Sequence, residues 1–272
     1  GRTLHSNWSS AAGGQVSGKD IVIFGGGDGF CYGLDTKTTL KGNFEVMDEL
    51  WRFDCNPATY RKDKTGKPIK YATFNGPSEV IATPVLYKEK VYVPIGQDPE
   101  HGEGLGSLVC IDPSKRGNFQ KTGLVWRYDK IHRSLSTPSI VGNLMFVADF
   151  SGFIHCVDVT TGKPYWVFDS KSHIWASTLV ADGKLYVGTE DGDVIVLAAT
   201  KQMKELGRYD MRAPVYSTSV AANGTLYVAT PTHLYAIGKS KTAQAPVDHK
   251  SAAAKAQLAR METNAAKARA EH

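Results

Sequence analysis

STPSIVGNLMFVADFSGFIHCVDV (136–159), ASTLVADGKLYVGTEDGDVIVLAA (176–199) and YSTSVAANGTLYVATPTHLYAIGK (216–239) are three versions of one pattern. Val147, Val187 and Val228 are spaced by 40 and 41 residues, and His155, Ile195 and Tyr235 by 40. A fixed period of this size marks a repeat architecture, whose unit cannot bury its apolar face alone and stacks on its neighbours. Each copy holds short runs rich in Val, Ile, Leu, Tyr and Phe, which read as strands. They are punctuated by Gly142-Asn143, Ser151-Gly152, Thr161-Gly162, Asp182-Gly183, Asp191-Gly192 and Asn223-Gly224. Glycine takes positive φ without steric cost, so these pairs read as hairpin turns. The full copy has four strands: STPSIV (136–141), LMFVAD (144–149), FIHCVDV (153–159) and PYWVFD (164–169). Four-stranded antiparallel units at this period are propeller blades, and helical repeats of that length would not carry a glycine turn roughly every ten residues. The fold class is all-β, a β-propeller.

The copies resemble the PQQ-like (quinoprotein-like) propeller repeat: a Gly turn, an aromatic-small-Leu-Asp strand, Thr-Gly, then Trp-x-Phe. The pattern appears as DGFCYGLD (28–35) with LWRFD (50–54), GSLVCIDP (106–113) with VWRYD (125–129), and SGFIHCVDVTTGKPYWVFD (151–169). A further copy, DGDVIVLAATKQMKELGRYD (191–210), lacks both the Asp and the Trp. The resemblance covers residues 9–238 and is specific for the repeat rather than for an activity, because the fold hosts both quinone-dependent alcohol dehydrogenases and non-enzymatic scaffolds. One such scaffold is the propeller lipoprotein of the outer-membrane β-barrel assembly machinery. The phrase QDPEHGEG (97–104) is also similar to PQQ-like proteins of planctomycete-type bacteria. Catalytic relatives use a ring-bound quinone, a calcium ion on carboxylate and amide ligands, an Asp base and usually a vicinal Cys-Cys pair. No Cys-Cys pair occurs here, and no ordered Glu–Asn–Asp set can be placed. The resemblance therefore implies a non-enzymatic, extracytoplasmic (periplasmic, bacterial) scaffold with a protein partner and no cofactor. The alternative is a quinone-dependent dehydrogenase, or a propeller binding a small ligand or cation on the same face.

Composition agrees with a folded chain, with 42% hydrophobic residues. Thirty-two basic against 27 acidic residues leave +5, too small and dispersed a charge to imply nucleic acid. No run of 18 apolar residues suggests a membrane span. The chain opens at Gly1, so the lack of a leader is uninformative. The first blade has a strand after Trp8-Ser9-Ser10, a second at Ile21–Phe24, and a long third turn in which Thr36–Thr39 replace Thr-Gly. Residues 55–80 form an insertion carrying Arg61, Lys62, Lys64, Lys67 and Lys70, read either as a solvated loop or as a basic patch for phosphate or lipid headgroups. The second blade uses residues 82–87, 90–96, 107–112 and 124–129. Its loop 97–106 holds Asp98, Glu100, His101 and Glu103. Oxygen ligands would suit a calcium-like ion and an added His a transition metal. The spacing matches no metal motif, and a charged surface loop explains it as well.

After Gly238 the composition turns to Ala, Lys and Arg, with six basic and three acidic residues from Lys241 onward. Ala254, Leu258, Met261, Ala265 and Ala268 make a thin helical stripe, so residues 239–272 are a separate helical or solvated tail beside the propeller portion 1–238. Cys110 and Cys156 occupy equivalent strand positions and read as core fillers. The hairpin register of the third blade, carried onto the first, places Cys55 opposite Phe30 and beside Cys31, which leaves a disulfide open. Trp51, Trp126 and Trp166 recur at one outer-strand position, where an indole can pack on the next blade.

Strand direction tells where a binding face lies. If the first strand runs downward, second-to-third loops and the connections between blades share the top. Insertions 55–80 and 97–106 then lie on that side, with KIHRSL (130–135), KSHIWA (171–176) and DMRAPVY (210–216). His132, Arg133, His173, Trp175 and Arg212 should ring the mouth of a central channel, on loops held by a rigid scaffold. Counting strands gives four full blades and three strands of a fifth. Family rings usually have about eight, so the chain reads as part of a larger ring, completed by residues upstream of Gly1 or by another chain.

Overall fold

The computed structural model describes residues 7–70, 73, 76–97, 105–118 and 120–238. One compact unit runs from Gly1 to Ala236, and the second, Ile237–His272, is represented among the described residues by Ile237 and Gly238. The tail expected over 239–272 lies outside them, as do Asp98, Glu100, His101 and Glu103.

The first unit is built from antiparallel sheets in sequence order. Blade 1 comprises β1 (Ala12–Val16), β2 (Lys19–Gly25), β3 (Phe30–Lys41) and β4 (Phe44–Asp54). A single helical turn, α1 (Ala58–Arg61), follows. Blade 2 comprises β5 (Val85–Tyr87), β6 (Lys90–Ile95), β7 (Ser107–Ile111) and β9 (Leu124–Tyr128), with a two-residue strand, β8 (Gly117–Asn118), inserted before β9. Blade 3 holds β10 (Ser139–Val141), β11 (Leu144–Ala148), β12 (Phe153–Asp158) and β13 (Pro164–Asp169). Blade 4 holds β14 (Leu179–Ala181), β15 (Lys184–Gly188), β16 (Asp193–Ala198) and β17 (Glu205–Asp210). Blade 5 has three strands, β18 (Val220–Ala222), β19 (Thr225–Ala229) and β20 (Leu234–Gly238). The predicted count of four full blades and part of a fifth is what forms.

Side chains alternate faces along a strand, and here both faces are buried because each blade is packed on two sides. In β11, Met145 and Val147 join Tyr92, Leu108 and Cys110 of blade 2, whereas Phe146 and Ala148 join Leu185 and Ile195 of blade 4. Blades 1 and 2 meet through Ile23, Cys31 and Phe53 against Val93, Ile95 and Val109. Blades 4 and 5 share only a small cluster, Val194, Val196, Val215 and Val228. Val220, Leu234 and Ile237 of blade 5 are exposed. The outer-strand tryptophans stitch blades together as expected. Trp126 Nε1 donates to Val159 O (3.0 Å) and Trp166 Nε1 to Thr200 O (2.9 Å), each in the next blade. Gly162, at φ +71°, lies so close under the Trp126 indole that a Cβ there would sit 2.6 Å from the ring.

Three local expectations are corrected. The third turn of blade 1 is not at Thr36–Thr39: β3 and β4 run on as paired strands to a Gly42-Asn43 turn, with pairs Thr38↔Met47 and Lys41↔Phe44. Threonine-rich extended sequence satisfies a ladder as well as a loop, and the sequence alone did not separate the two. Cys55 does not face Phe30. Asp54 does, because the bulge sits between Gly33 and Leu34 rather than at the blade 3 position, and both Cys31 and Cys55 are free and buried. The 55–80 insertion is only partly a solvated loop. Arg61 grips the Asp54 carboxylate with two bonds (2.9 and 2.7 Å), donates to Asp28 O (2.8 Å) and lies over Phe30. Asn56 and Ser78 close the insertion with a reciprocal pair of bonds. Strand β8 went unforeseen: it pairs in parallel with β4, and Gln120 clasps the Asp54 backbone from the same segment.

Candidate functional site: the interblade rim

The segment leading into each first strand lies beside the second-to-third turn at the same end of the sheets, as antiparallel geometry requires. Backbone bonds fix this register: Glu79 pairs with Gly96, Phe150 N–H donates to Arg133 O (2.9 Å), and Glu190 N–H donates to His173 O (2.8 Å). Glu79, Arg133 and His173 are therefore equivalent positions, and Trp175 and Tyr216 are equivalent two residues after His173 and Pro214.

Phe150 is the centre of what assembles here. Its ring is nearly buried, and the Arg133 guanidinium carbon sits 4.2 Å from its centroid. The His173 imidazole stacks on it at 4.5 Å and 13°, and Trp175 meets it edge-on at 5.0 Å. Trp175 in turn meets Tyr216 edge-on at 5.9 Å. His173 Nδ1 is 2.9 Å from Phe150 O, and Trp175 Nε1 donates to Glu190 Oε2 at 3.2 Å. Contacts of a cation and aromatic rings with one ring each contribute on the order of 0.5–1.5 kcal/mol. Their larger effect is to hold the half-exposed Trp175 (36%) and Tyr216 (45%) in one orientation at the surface.

Beside this cluster runs a polar chain from the second blade into the third. Tyr128 OH lies 3.1 Å from His155 Nδ1, His155 Nε2 lies 3.0 Å from Asp149 Oδ2, and His132 Nδ1 lies 3.1 Å from the same oxygen. The His132 backbone N–H also donates to Asp149 Oδ2, and the Phe153 N–H to Oδ1. With Tyr128 OH donating to Nδ1, His155 is a neutral Nε2–H tautomer. Burial by itself would raise the Asp149 pKa, but the hydrogen bond and charge of His155 and two backbone N–H groups hold it below the ordinary carboxylate value. Burial, then Asp149, pushes the Tyr128 hydroxyl up. Asp149 is fully buried and His132 is more than half exposed, so the network ties a surface imidazole to the blade core.

The structure thus brings Arg133, His173 and Trp175 onto one ring and sets His132 on the neighbouring Asp149. Arg133 differs from expectation: it is 95% buried (relative exposure 5%) beneath the rim rather than part of its surface. Arg212 stands apart. It sits at φ +57° with its N–H on Asp210, as Lys171 sits at φ +67° on Asp169, and both occupy a recurrent Asp-x-basic turn. Sequence reading missed Phe150, Asp149, Glu190 and Tyr216. A usable signal existed, since Phe150 fills the position before the Ser-Gly turn where Gly27 and Glu190 stand in other blades.

The model of the family described as outer membrane protein assembly factor BamB matches residues 49–240. The chain belongs to this family. It is also 30% identical over 111 residues to a 1-butanol dehydrogenase (cytochrome c) of Thauera butanivorans, a match covering 36% of this chain and 16% of that protein. The structure is similar to that of BamB from Moraxella catarrhalis (TM-score 0.58, 16% identity), covering 84% of this chain and 57% of that one. It is also similar to the C-terminal WD40 domain of Sif2 (TM-score 0.52, 11% identity), covering 77% of this chain and 51% of that one. The chain therefore spans about a sixth of the curated relative and little more than half of the BamB structure.

The described residues do not fit a quinone-and-calcium centre. No group of three His, Cys, Asp or Glu side chains among them is placed to hold a cation, and the four cysteines are buried singly in the blades. Burial pushes the Cys110 and Cys156 thiols up to about 12, so they are inert packing groups rather than nucleophiles. Among the described residues, no helix is long and apolar enough to cross a membrane.

Proposed function

We propose that this propeller is a non-enzymatic, extracytoplasmic scaffold that binds a protein partner through its interblade rim. The observation that carries this reading is the set of half-exposed aromatic groups, Trp175 and Tyr216 with His173, held rigid by the buried Phe150 and Arg133. Pre-oriented aromatic side chains anchored on a rigid base are the usual energetic centres of protein interfaces. Family membership supports the reading at the level of fold and lineage. We further propose that the blades are part of a larger ring, because the exposed apolar side chains of blade 5 are of the kind that other blades bury.

The similarity to a butanol dehydrogenase favours a second reading, a quinone-dependent oxidoreductase working at the same face. The two separate in one experiment. Purified protein is incubated with pyrroloquinoline quinone, calcium and short alcohols, and reduction of an artificial dye is followed. Turnover above the protein-free control would overturn the scaffold reading. In parallel, His173→Ala, Trp175→Ala and Tyr216→Ala together are expected to abolish association with a partner that co-purifies with the wild type, with melting temperature changed by only a few degrees. Unchanged association would remove the rim from the proposal.

A further inference from the structure

The extended hairpin of blade 1 has no counterpart in the other blades. In blade 3 the third and fourth strands, β12 and β13, are joined by the short Thr160–Lys163 turn, whereas β3 and β4 run 12 and 11 residues. The extra length, residues 35–49, is a two-stranded ribbon. Between the pairs Leu34↔Glu49 and Thr38↔Met47, three residues oppose one, a bulge that re-aims the ribbon away from the blade. Its tip is apolar and in water: Leu40 and Phe44 are each 74% exposed and Met47 39%.

Isolated two-stranded ribbons are marginal in water, yet this one is stiffened. Lys41 Nζ bonds Asp48 Oδ1 (2.9 Å), Thr39 Oγ1 reaches the same carboxylate, and Thr38 Oγ1 donates to Glu45. The turn uses Gly42 at φ +63°, the left-handed backbone that two-residue hairpins require. An apolar tip on a stiff projecting ribbon is arranged for insertion. Its charge indicates into what. Asp35, Glu45, Asp48 and Glu49 stand against Lys37 and Lys41, so the ribbon carries −2 on a chain of +5. An anionic membrane surface would repel it, and a symmetric arm-on-arm dimer would bring two negative arms together.

We infer that residues 35–49 are a docking arm that inserts Leu40 and Phe44 into an apolar slot of a partner protein, a slot rimmed by Lys and Arg side chains. This surface is independent of the interblade rim.

The test places a photoreactive p-benzoylphenylalanine at position 44 of the full chain in its native host. The protein captured is identified, purified and titrated against the wild type. Binding is expected to weaken about a hundredfold with Leu40→Ser and Phe44→Ser together, since two buried apolar side chains are lost. It should weaken about tenfold with Glu45→Lys and Glu49→Lys together, and fall as salt rises. Melting temperature should not change, because these side chains are exposed. A second variant, with residues 35–49 replaced by the Thr-Gly turn of blade 3, should fold and lose binding altogether. Four results would overturn the inference: no protein adduct at position 44, undiminished binding by the double serine variant, flotation of the wild type with phosphatidylethanolamine–phosphatidylglycerol vesicles, or a self-dimer that requires Phe44.

Discussion

Asp149→Asn preserves the shape of a fully buried side chain and removes its charge. In the wild type one oxygen, Oδ2, receives His155 Nε2 at 3.0 Å and both the ring and backbone nitrogens of His132 at 3.1 Å, while Oδ1 receives the Phe153 N–H. An asparagine has one oxygen for these four donors. Turned toward the histidines, it sets its own NH2 against the Phe153 N–H, leaving a buried donor unsatisfied at a cost of about 1–3 kcal/mol. The remaining bonds change from charge-assisted to neutral, about 1 kcal/mol apiece, and relief from burying a charge returns part of this. The net loss is about 3 kcal/mol, which for a domain of this size lowers the melting temperature by roughly 6–12 °C. Acid should erase the difference. The folded pKa of Asp149 is depressed, so its contribution is complete above the unfolded value of about 3.9 and disappears as pH falls through the folded value. Circular-dichroism melts at pH 7, 5 and 3 measure this directly. The gap between wild type and variant should be constant from about pH 7 to about pH 5 and close below about pH 4. A variant melting within a degree of the wild type at pH 7, or a gap undiminished at pH 3, would refute the reasoning.

Gly162→Ala combines a left-handed backbone with a Cβ 2.6 Å from the Trp126 ring, so urea titration should show a loss of more than about 2 kcal/mol. Gly183→Ala has the same backbone sign (φ +68°) but open space around it, and should lose only about 1 kcal/mol. The four cysteines should stay unreactive toward a thiol-specific chromogenic disulfide at pH 8 in the folded protein and all react in denaturant, because burial holds each thiol protonated. Prompt reaction of even one would show that its blade opens. Phe150→Leu keeps the rim apolar but removes the ring under Arg133, His173 and Trp175. Fluorescence of Trp175, read in a protein with the other tryptophans replaced by Phe, should shift toward that of exposed indole, and an unchanged spectrum would mean that Phe150 does not hold it.

Repetition made the blades legible from the chain alone. When one apolar alternation and one set of glycine turns recur every 40 residues, each strand's identity is confirmed by its equivalents, and stacking is the only way to bury both faces. The tryptophans of the outer strands could be assigned to interblade packing for the same reason. Departures from the repeat were read less well. Thr36–Thr39 looked like a turn because the repeat has one there, whereas the pairing of residues 38–41 with 44–47 depends on a partner strand that no local pattern announces. Arg61 and Arg133 counted as surface charges in the sequence. Their burial follows from Asp54 and Phe150, residues that only the folded chain brings beneath them. Periodicity determined the architecture, because it is a property of spacing. The rim cluster, the Asp149 network and the projecting ribbon were decided by tertiary structure, because each consists of side chains from different blades or strands whose contacts exist only once the sheets have formed.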